Sequence, residues 1–199
     1  AFVSPMPLAH SRHLPRLPAA AYQGCRFVHW TMTIAGRRRG WLSPRFHGAF
    51  RDVLFVVGAD HDVAVAAYCL MPDHLHCLSA GTSDRADQLL WARAFRRRLN
   101  VILHPFRLQK QAHDHLLRLR ERGPEAFRAV VEYVTENPVR AGLVDDSASW
   151  EFCGACVAGL RGLDPRRPEF SERWWAYWNR QVEPPGGHAV ALLRRGYEE

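Results

Sequence analysis

The segment Pro72-Asp73-His74-Leu75-His76-Cys77 follows directly on the apolar run 63–70 and is the strongest fold signal in the sequence. Side chains of a β-strand alternate between its two faces, so His74 and His76 emerge together while the residues between and after them point into the core. The proline and aspartate ahead of them fit a tight turn between two antiparallel strands. Two adjacent imidazoles on a strand are half of a metal site, but they are also found as two solvated histidines. This stretch by itself leaves both interpretations open.

Outward from this stretch, apolar periodicity predicts four strands and two helices in the order β-α-β-β-α-β. The strands are predicted at 26–34, 63–70, 74–79 and, more weakly, 108–116, and the helices at 44–57 and 84–103. Asp84 is the expected N-cap of the second helix. This order is that of the ferredoxin-like fold, an α+β architecture in which an antiparallel sheet carries helices on one face.

A third predicted helix begins at Pro124, and its apolar residues recur at helical spacing. At about 100° per residue, Tyr133 and Asn137 lie together on one flank of the apolar stripe, where they can face a site between this helix and the sheet. Pro138 disfavours helical geometry at Asn137, so Asn137 is alternatively the cap of a short helix at 139–143. Both roles for Asn137 are open at this point.

The basic residues are concentrated in two parts of the chain. The sequence has 27 Lys+Arg and 20 Asp+Glu, a net charge of +7, and no acidic residue precedes Asp52. Such concentration favours a polyanionic partner, in particular nucleic acid. The candidate phosphate contacts are Arg37, Arg38, Arg39, Arg93, Arg96, Arg97 and Arg98. No apolar run approaches the roughly 20 residues of a membrane span, so we expect no membrane partner and a cytoplasmic protein.

Two motifs at 68–76 and 133–144, Tyr-Cys-Leu-Met-Pro-Asp-His-Leu-His and Tyr-Val-Thr-Glu-Asn-Pro-Val-Arg-Ala-Gly-Leu-Val, resemble those of the IS200-like single-tyrosine transposases. Within this branch of the HUH endonucleases the resemblance is to the REP-associated tyrosine transposases, and it covers roughly residues 22–150. It implies that His74 and His76 bind Mg²⁺ or Mn²⁺ and that Tyr133 is the nucleophile. It also implies that Asn137 is the third ligand, where the IS200 branch typically has Gln.

The resemblance also implies a substrate, and its extent together with the composition of the two ends predicts a division of the chain. The implied substrate is single-stranded DNA folded into hairpins, which is cleaved and rejoined through a 5′-phosphotyrosine intermediate. Residues 1–22 would be an extended basic arm, residues 23–148 the HUH endonuclease domain, and residues 149–199 an aromatic and basic extension with a tail. Whether the protein is a monomer or a homodimer is left open.

Several alternatives accompany this interpretation. A non-catalytic nucleic-acid-binding relative would keep the fold without cleavage, and a water-using metal-dependent nuclease would keep the metal site without the covalent step. A hydrolase of the histidine-triad kind fits poorly, because Leu78 stands where it needs a third alternating histidine. Base stacking is assigned as an option to Trp30, Trp41 and Trp91, and the aromatic run 174–178 either stacks bases or packs back on the domain. His113 and His115 are read as structural or DNA-facing.

Overall fold

A computed structural model describes residues 16–117 and 123–182 of the 199-residue chain. The strands are β1 (Phe27–Thr33), β2 (Val63–Leu70), β3 (His74–Gly81), β4 (His113–Leu116) and β5 (Cys153–Cys156). The helices are α1 (Pro44–Asp60), α2 (Gln88–Ile102), α3 (Pro124–Thr135), α4 (Asn137–Arg140) and α5 (Phe170–Val182). The strands form one sheet in the order β4-β1-β3-β2-β5, with every neighbouring pair antiparallel.

The predicted β-α-β-β-α-β order and the ferredoxin-like fold class are confirmed. The order β4-β1-β3-β2 puts the histidine strand β3 in the middle of the sheet, between β1 and β2. Strand β5 adds a fifth member at the edge beside β2. The histidine pair is therefore held on a strand that is hydrogen-bonded on both sides, which limits its movement.

Local signals explain most element ends. Helix α1 begins where Ser43 Oγ accepts a hydrogen bond from the amide of Phe46, with Pro44 as the first helical residue. Helix α2 is capped by Asp87, which accepts from the amides of Leu89 and Leu90. The prediction that Asp84 is this cap is wrong, because a turn at 83–86 precedes the helix.

The fourth strand is shorter than predicted. Leu108 makes only an isolated bridge to Ile34, and the ladder with β1 begins at His113. Between them the chain follows the end of the sheet, where the Gln109 amide donates to Thr33 O and the Ala35 amide to Arg107 O. This loop therefore lies at the end of the sheet where β3 begins.

The sheet has a hydrophobic layer on each face. Helices α1 and α2, the two helices of the predicted unit, lie together on one face against Val28, Trp30 and Met32 of β1. The other face carries His74 and His76, is covered by α3 and α5, and is called here the histidine face. Its strand β2 contributes small side chains, Ala64, Ala66, Ala67 and Cys69, which let α3 approach closely.

The aromatic run at 174–178 belongs to the core of the histidine face. The ring of Phe127 on α3 lies 5.5 Å from Trp174 and 5.3 Å from Phe27, measured between centroids. Trp174 is fully buried. The prediction that this run is a helix packed back on the domain is confirmed, and its alternative role in stacking bases is wrong for Trp174.

The segment before β1 is also attached to the sheet. Tyr22 is buried and its hydroxyl donates to Asp114 on β4, while Arg16 Nε lies 2.8 Å from the same carboxylate. The prediction of an extended arm therefore does not hold for residues 16–22, because the apolar ring of Tyr22 packs beside Trp30. Residues 1–15 of the predicted arm lie outside the described part of the chain. None of the helices within 16–117 and 123–182 combines the length and apolarity needed to cross a membrane.

Candidate active site

The two histidines of β3 converge on one point. His74 Nε2 and His76 Nε2 are 3.1 Å apart, on the face that α3 covers. His76 is 5% exposed and His74 is partly buried. The prediction that the pair shares one face of a strand is confirmed, and both rings lie at the edge of the core instead of in bulk solvent.

This separation fits two ligands of one metal ion. Two nitrogens each about 2.1 Å from an ion, at about a right angle, lie about 3.0 Å apart. Among residues 16–117 and 123–182, no group of three or more His, Cys, Asp or Glu side chains is placed to hold a metal. A metal held by His74 and His76 would therefore take its other ligands from amide, hydroxyl or backbone carbonyl oxygens, water or a phosphate oxygen.

Asp73 orients His74. Its Oδ1 lies 2.7 Å from His74 Nδ1, and its Oδ2 accepts from Arg37 Nη1 at 2.9 Å. Partial burial acts to raise the pKa of Asp73, but the hydrogen bonds from His74 and Arg37 outweigh it and hold this pKa below its usual value. An ionised Asp73 accepts the Nδ1 proton of His74, which leaves the Nε2 lone pair free for a metal.

Thr31 and His29 lie beside His76 Nδ1, as Asp73 lies beside His74 Nδ1. Thr31 Oγ1 and His29 Nε2 lie 3.2 and 3.1 Å from His76 Nδ1, so either can accept its proton. Burial, reinforced by the neighbouring histidines, lowers the pKa of His76 to about 3. Burial likewise lowers the pKa of His29 to about 4, with His115 and His113 adding to the effect. These imidazoles are therefore neutral at pH 7, the state in which a ring nitrogen binds a metal.

Tyr133 lies beside the histidine pair. Its ring is edge-on to His76 and His29, with centroid distances of 6.1 and 5.7 Å. It is 43% exposed, so a substrate can reach the hydroxyl. The guanidinium of Arg140 lies over the same ring, 4.8 Å from its centroid. Tyr133 therefore lies on the flank of its helix that borders the sheet, as its spacing predicts, and its role as nucleophile stays a prediction.

Asn137 joins α3 to α4. Its Nδ2 donates to the carbonyls of Tyr133 and Val134 at 2.7 and 3.3 Å, which satisfies the C-terminal end of α3. The alternative that Asn137 caps a helix at 139–143 is wrong, because α4 begins at Asn137 itself and its side chain bonds backwards. The Asn137 amide oxygen has no hydrogen-bond partner among the described residues. Its role as a third metal ligand stays a prediction.

His29 is the site residue that sequence reasoning missed. The signal was present, because His29 and Thr31 are polar residues at alternate positions of an otherwise apolar strand. The ladder pairs Thr31 with His76 and Thr33 with His74, so the polar positions of β1 line up with the histidines of β3. This alternation indicates a site residue only once β1 is known to be the neighbour of β3.

The two predicted arginine clusters are placed differently. Arg37, Arg38 and Arg39 follow β1 at the end of the sheet where His74 lies, and the Arg37 side chain is 70% exposed although its Nη1 contacts Asp73. Arg38 lies over the ring of Phe106, 4.7 Å from its centroid, and Arg39 is exposed. Arg37 therefore borders the site through Asp73, whereas the Arg38 guanidinium lies over Phe106, which packs in the layer beneath α1 and α2. The geometry is compatible with a phosphate contact for Arg37, and the contacts of Arg38 and Arg39 stay predictions.

The arginines of α2 lie on the opposite side of the sheet from the histidine pair. Arg96 donates to Gln109 O, and Arg98 forms an ion pair with Asp60 at 3.1 Å. Arg93 and Arg97 are exposed. The structure does not bring this cluster to the site, and its predicted contacts with nucleic acid would require a strand that extends around the domain.

The tryptophans assigned as base-stacking candidates are interior residues. Trp30, Trp41 and Trp91 are each buried in the layer beneath α1 and α2. Their assignment to base stacking is wrong, because their rings fill the core. His113 and His115 are exposed on the edge strand β4, where the ladder pairs them with Thr31 and His29.

If His74 and His76 hold a metal as predicted, Asp73→Ala should weaken Mn²⁺ binding by about 10- to 100-fold, because His74 then loses the acceptor that fixes its ring and tautomer. Asp73→Asn should reduce the Mn²⁺ affinity less, since a carboxamide oxygen still accepts the hydrogen bond from His74 Nδ1. Isothermal titration calorimetry with Mn²⁺ measures both. Asp60→Ala is the matched control, because its partner Arg98 lies on the opposite side of the sheet. Unchanged Mn²⁺ affinity in Asp73→Ala would contradict this role.

Comparison with known proteins gives two findings and one negative result. The chain is 24% identical over 139 residues to the REP-associated tyrosine transposase of Escherichia coli (strain K12), covering 68% of this chain and 80% of that protein. Its fold matches the solved structure of a REP-associated tyrosine transposase bound to a REP hairpin, with a TM-score of 0.57 and 20% identity over 73% of this chain and 82% of that one. No family model matches the sequence. The chain is thus similar in sequence and in fold to the REP-associated tyrosine transposases, as its two motifs indicate.

Proposed function

We propose that this protein cleaves and rejoins single-stranded DNA hairpins through a 5′-phosphotyrosine intermediate on Tyr133. The observation that carries the proposal is the position of the exposed Tyr133 ring beside His76, whose Nε2 converges with that of His74. The two motifs are far apart in the sequence, and in the fold Tyr133 lies beside His76. A nucleophile beside a pair of metal-binding nitrogens is the arrangement that phosphodiester cleavage needs.

In the proposed reaction Tyr133 Oη attacks the scissile phosphorus. The Oη–P bond forms and the P–O3′ bond breaks, so the phenol loses its proton while the departing DNA strand gains one as a 3′-OH. A Mg²⁺ or Mn²⁺ ion held by His74 and His76 would polarise the phosphate and offset the negative charge that develops. Asp73 and Thr31 hold the two imidazoles in the orientation that points both Nε2 atoms at one place. Reversal of the attack by a 3′-OH rejoins the strand.

The proposed substrate rests on charge and on similarity. Arg37 contacts Asp73 at the site, the exposed Arg38 and Arg39 follow it in the chain, and the whole chain carries a net charge of +7. Phosphate contacts of this kind position a strand without reading its sequence. The solved structure that the fold matches is bound to a REP hairpin, which favours a hairpin as the substrate here.

The test uses a single-stranded hairpin oligonucleotide, drawn from repeats that flank the gene and labelled with different dyes at its 5′ and 3′ ends. The protein is incubated with it in Mn²⁺ or in EDTA and run on a denaturing gel. We expect a slow-migrating adduct that carries the 3′-side label, a free fragment that carries the 5′ label, and neither product in EDTA. Tight binding with no cleavage would instead indicate a non-catalytic relative. Cleavage with both fragments free would indicate a water-using nuclease.

A further inference from the structure

Arg140 is an exposed cation in contact with the proposed nucleophile. Its guanidinium carbon lies 4.8 Å from the centroid of the Tyr133 ring. In the described part of the chain it has no carboxylate partner. By contrast Arg128, one of the other exposed arginines of this region, pairs with Glu132 on its own helix at 2.9 Å. Arg140 therefore keeps its hydrogen-bonding edge available for an anion.

The connection between α3 and α4 fixes Arg140 relative to Tyr133. Asn137 Nδ2 donates to Tyr133 O, and the Arg140 amide donates to Glu136 O at 3.0 Å. Pro138 is buried, and its carbonyl accepts from the Leu143 amide at 2.9 Å. These contacts hold the short helix α4 against the end of α3. They fix the Arg140 backbone relative to Tyr133, and from that position the guanidinium reaches the face of the phenol ring.

We propose that Arg140 is a catalytic residue that holds the scissile phosphate while it is transferred to and from Tyr133. The inference rests on the proposed function, since it assigns a role within that reaction. The guanidinium is always charged and presents a planar fork of N–H donors that matches two oxygens of a phosphate. A phosphate on Tyr133 Oη lies at the edge of the ring that Arg140 covers, so its non-bridging oxygens come within reach of this fork.

The role of Arg140 requires no proton transfer by the arginine. As the Oη–P bond forms and the P–O3′ bond breaks, negative charge builds on the oxygens of the phosphate, and the fixed guanidinium stabilises that charge. The phenol proton is released to solvent, and the leaving O3′ takes up a proton from solvent. Since rejoining passes through the same transition state, Arg140 should accelerate cleavage and rejoining by the same factor.

The test compares Arg140→Gln, Arg140→Lys and the control Arg128→Gln in the full-length chain. Three quantities are measured: the single-turnover rate of adduct formation at saturating hairpin in Mn²⁺, the rate at which an added strand with a free 3′-OH releases the preformed adduct, and the hairpin Kd in EDTA. We expect Arg140→Gln to slow adduct formation by about 100-fold and to slow rejoining equally. Arg140→Lys should recover part of the rate, because the charge remains without the fork. Arg128→Gln should match the wild type, and the Kd should change by less than about 3-fold in every variant.

Several results would overturn the assignment. An adduct rate in Arg140→Gln within about 3-fold of the wild type would remove Arg140 from the reaction. A higher hairpin Kd with an unchanged rate of adduct formation at saturating hairpin would make Arg140 a DNA-binding residue only. If Arg140→Gln does not fold, Arg140→Lys decides, because a wild-type rate there means that the fork is not used. A wild type that binds the hairpin but forms no adduct would refute the proposed function itself, and this inference with it.

Discussion

Tyr133→Phe will abolish the covalent protein–DNA adduct while leaving the fold and the binding of the hairpin intact. The substitution removes one oxygen atom, which is the attacking atom in the proposed reaction, so adduct formation should fall by about 10³-fold or more. The ring keeps its edge contacts with His76 and His29 and its contact with Arg140. Because Tyr133 is exposed, removing its hydroxyl leaves no buried polar group without a hydrogen-bond partner. Denaturing gels measure the adduct, and fluorescence anisotropy measures hairpin binding.

Tyr177→Phe is the matched control for this substitution. It makes the same chemical change on α5, where Tyr177 packs against Trp174 in the core of the histidine face. Its adduct rate should equal that of the wild type. If DNA cleavage persists in Tyr133→Phe at the wild-type rate, the nucleophile is water and the assignment of Tyr133 is wrong.

Trp174→Ala should destabilise the protein by about 3–5 kcal/mol, the range for removing a large aromatic side chain from a core. Trp174 is fully buried and lies within 6.5 Å of Phe27, Phe127, Phe170 and Tyr177, measured between ring centroids. Phe127 belongs to the helix that carries Tyr133, so this cluster ties α5 to the position of the nucleophile. Urea unfolding followed by tryptophan fluorescence and circular dichroism gives the free energy of unfolding.

Leu90→Ala is the control for this prediction, because Leu90 on α2 is half exposed and its truncation should cost less than about 0.5 kcal/mol. A loss below about 1 kcal/mol in Trp174→Ala would contradict the account of α5 as part of the core. The C-terminal extension would then be an appendage docked on a domain that is stable without it.

Elements with a strong local signal could be predicted from the sequence. The run 63–70 is apolar at nearly every position and became β2 with those bounds, since both of its faces are covered. That His74 and His76 point to the same face follows from the alternation of side chains along any β-strand. The flank position of Tyr133 follows from helical periodicity about a stripe that includes Phe127, Val131 and Val134, all of them buried.

What the sequence could not supply depends on contacts between distant segments. His29 joins the site because β1 lies beside β3. The periodicity of a strand does not predict which strand will be its neighbour in the sheet. The hydrogen bond from Arg37 to Asp73 likewise requires the end of β1 to meet the β2–β3 turn. The α2 arginines looked equivalent to Arg37 in sequence, and only the packing of α2 on the other face separates them from the site. The burial of Trp30 and Trp91 is settled in the same way, by the helices that cover them.

The most direct test of the central claim is mass spectrometry of the protein–DNA adduct after nuclease and trypsin digestion. Trypsin releases the peptide 129–140, Ala-Val-Val-Glu-Tyr-Val-Thr-Glu-Asn-Pro-Val-Arg, in which Tyr133 is the only tyrosine. The proposed mechanism predicts that this peptide carries a nucleotide linked through its 5′-phosphate to Tyr133, and that it stays unmodified when the protein is incubated in EDTA. A nucleotide on any other residue, or cleaved DNA with peptide 129–140 unmodified, would contradict it.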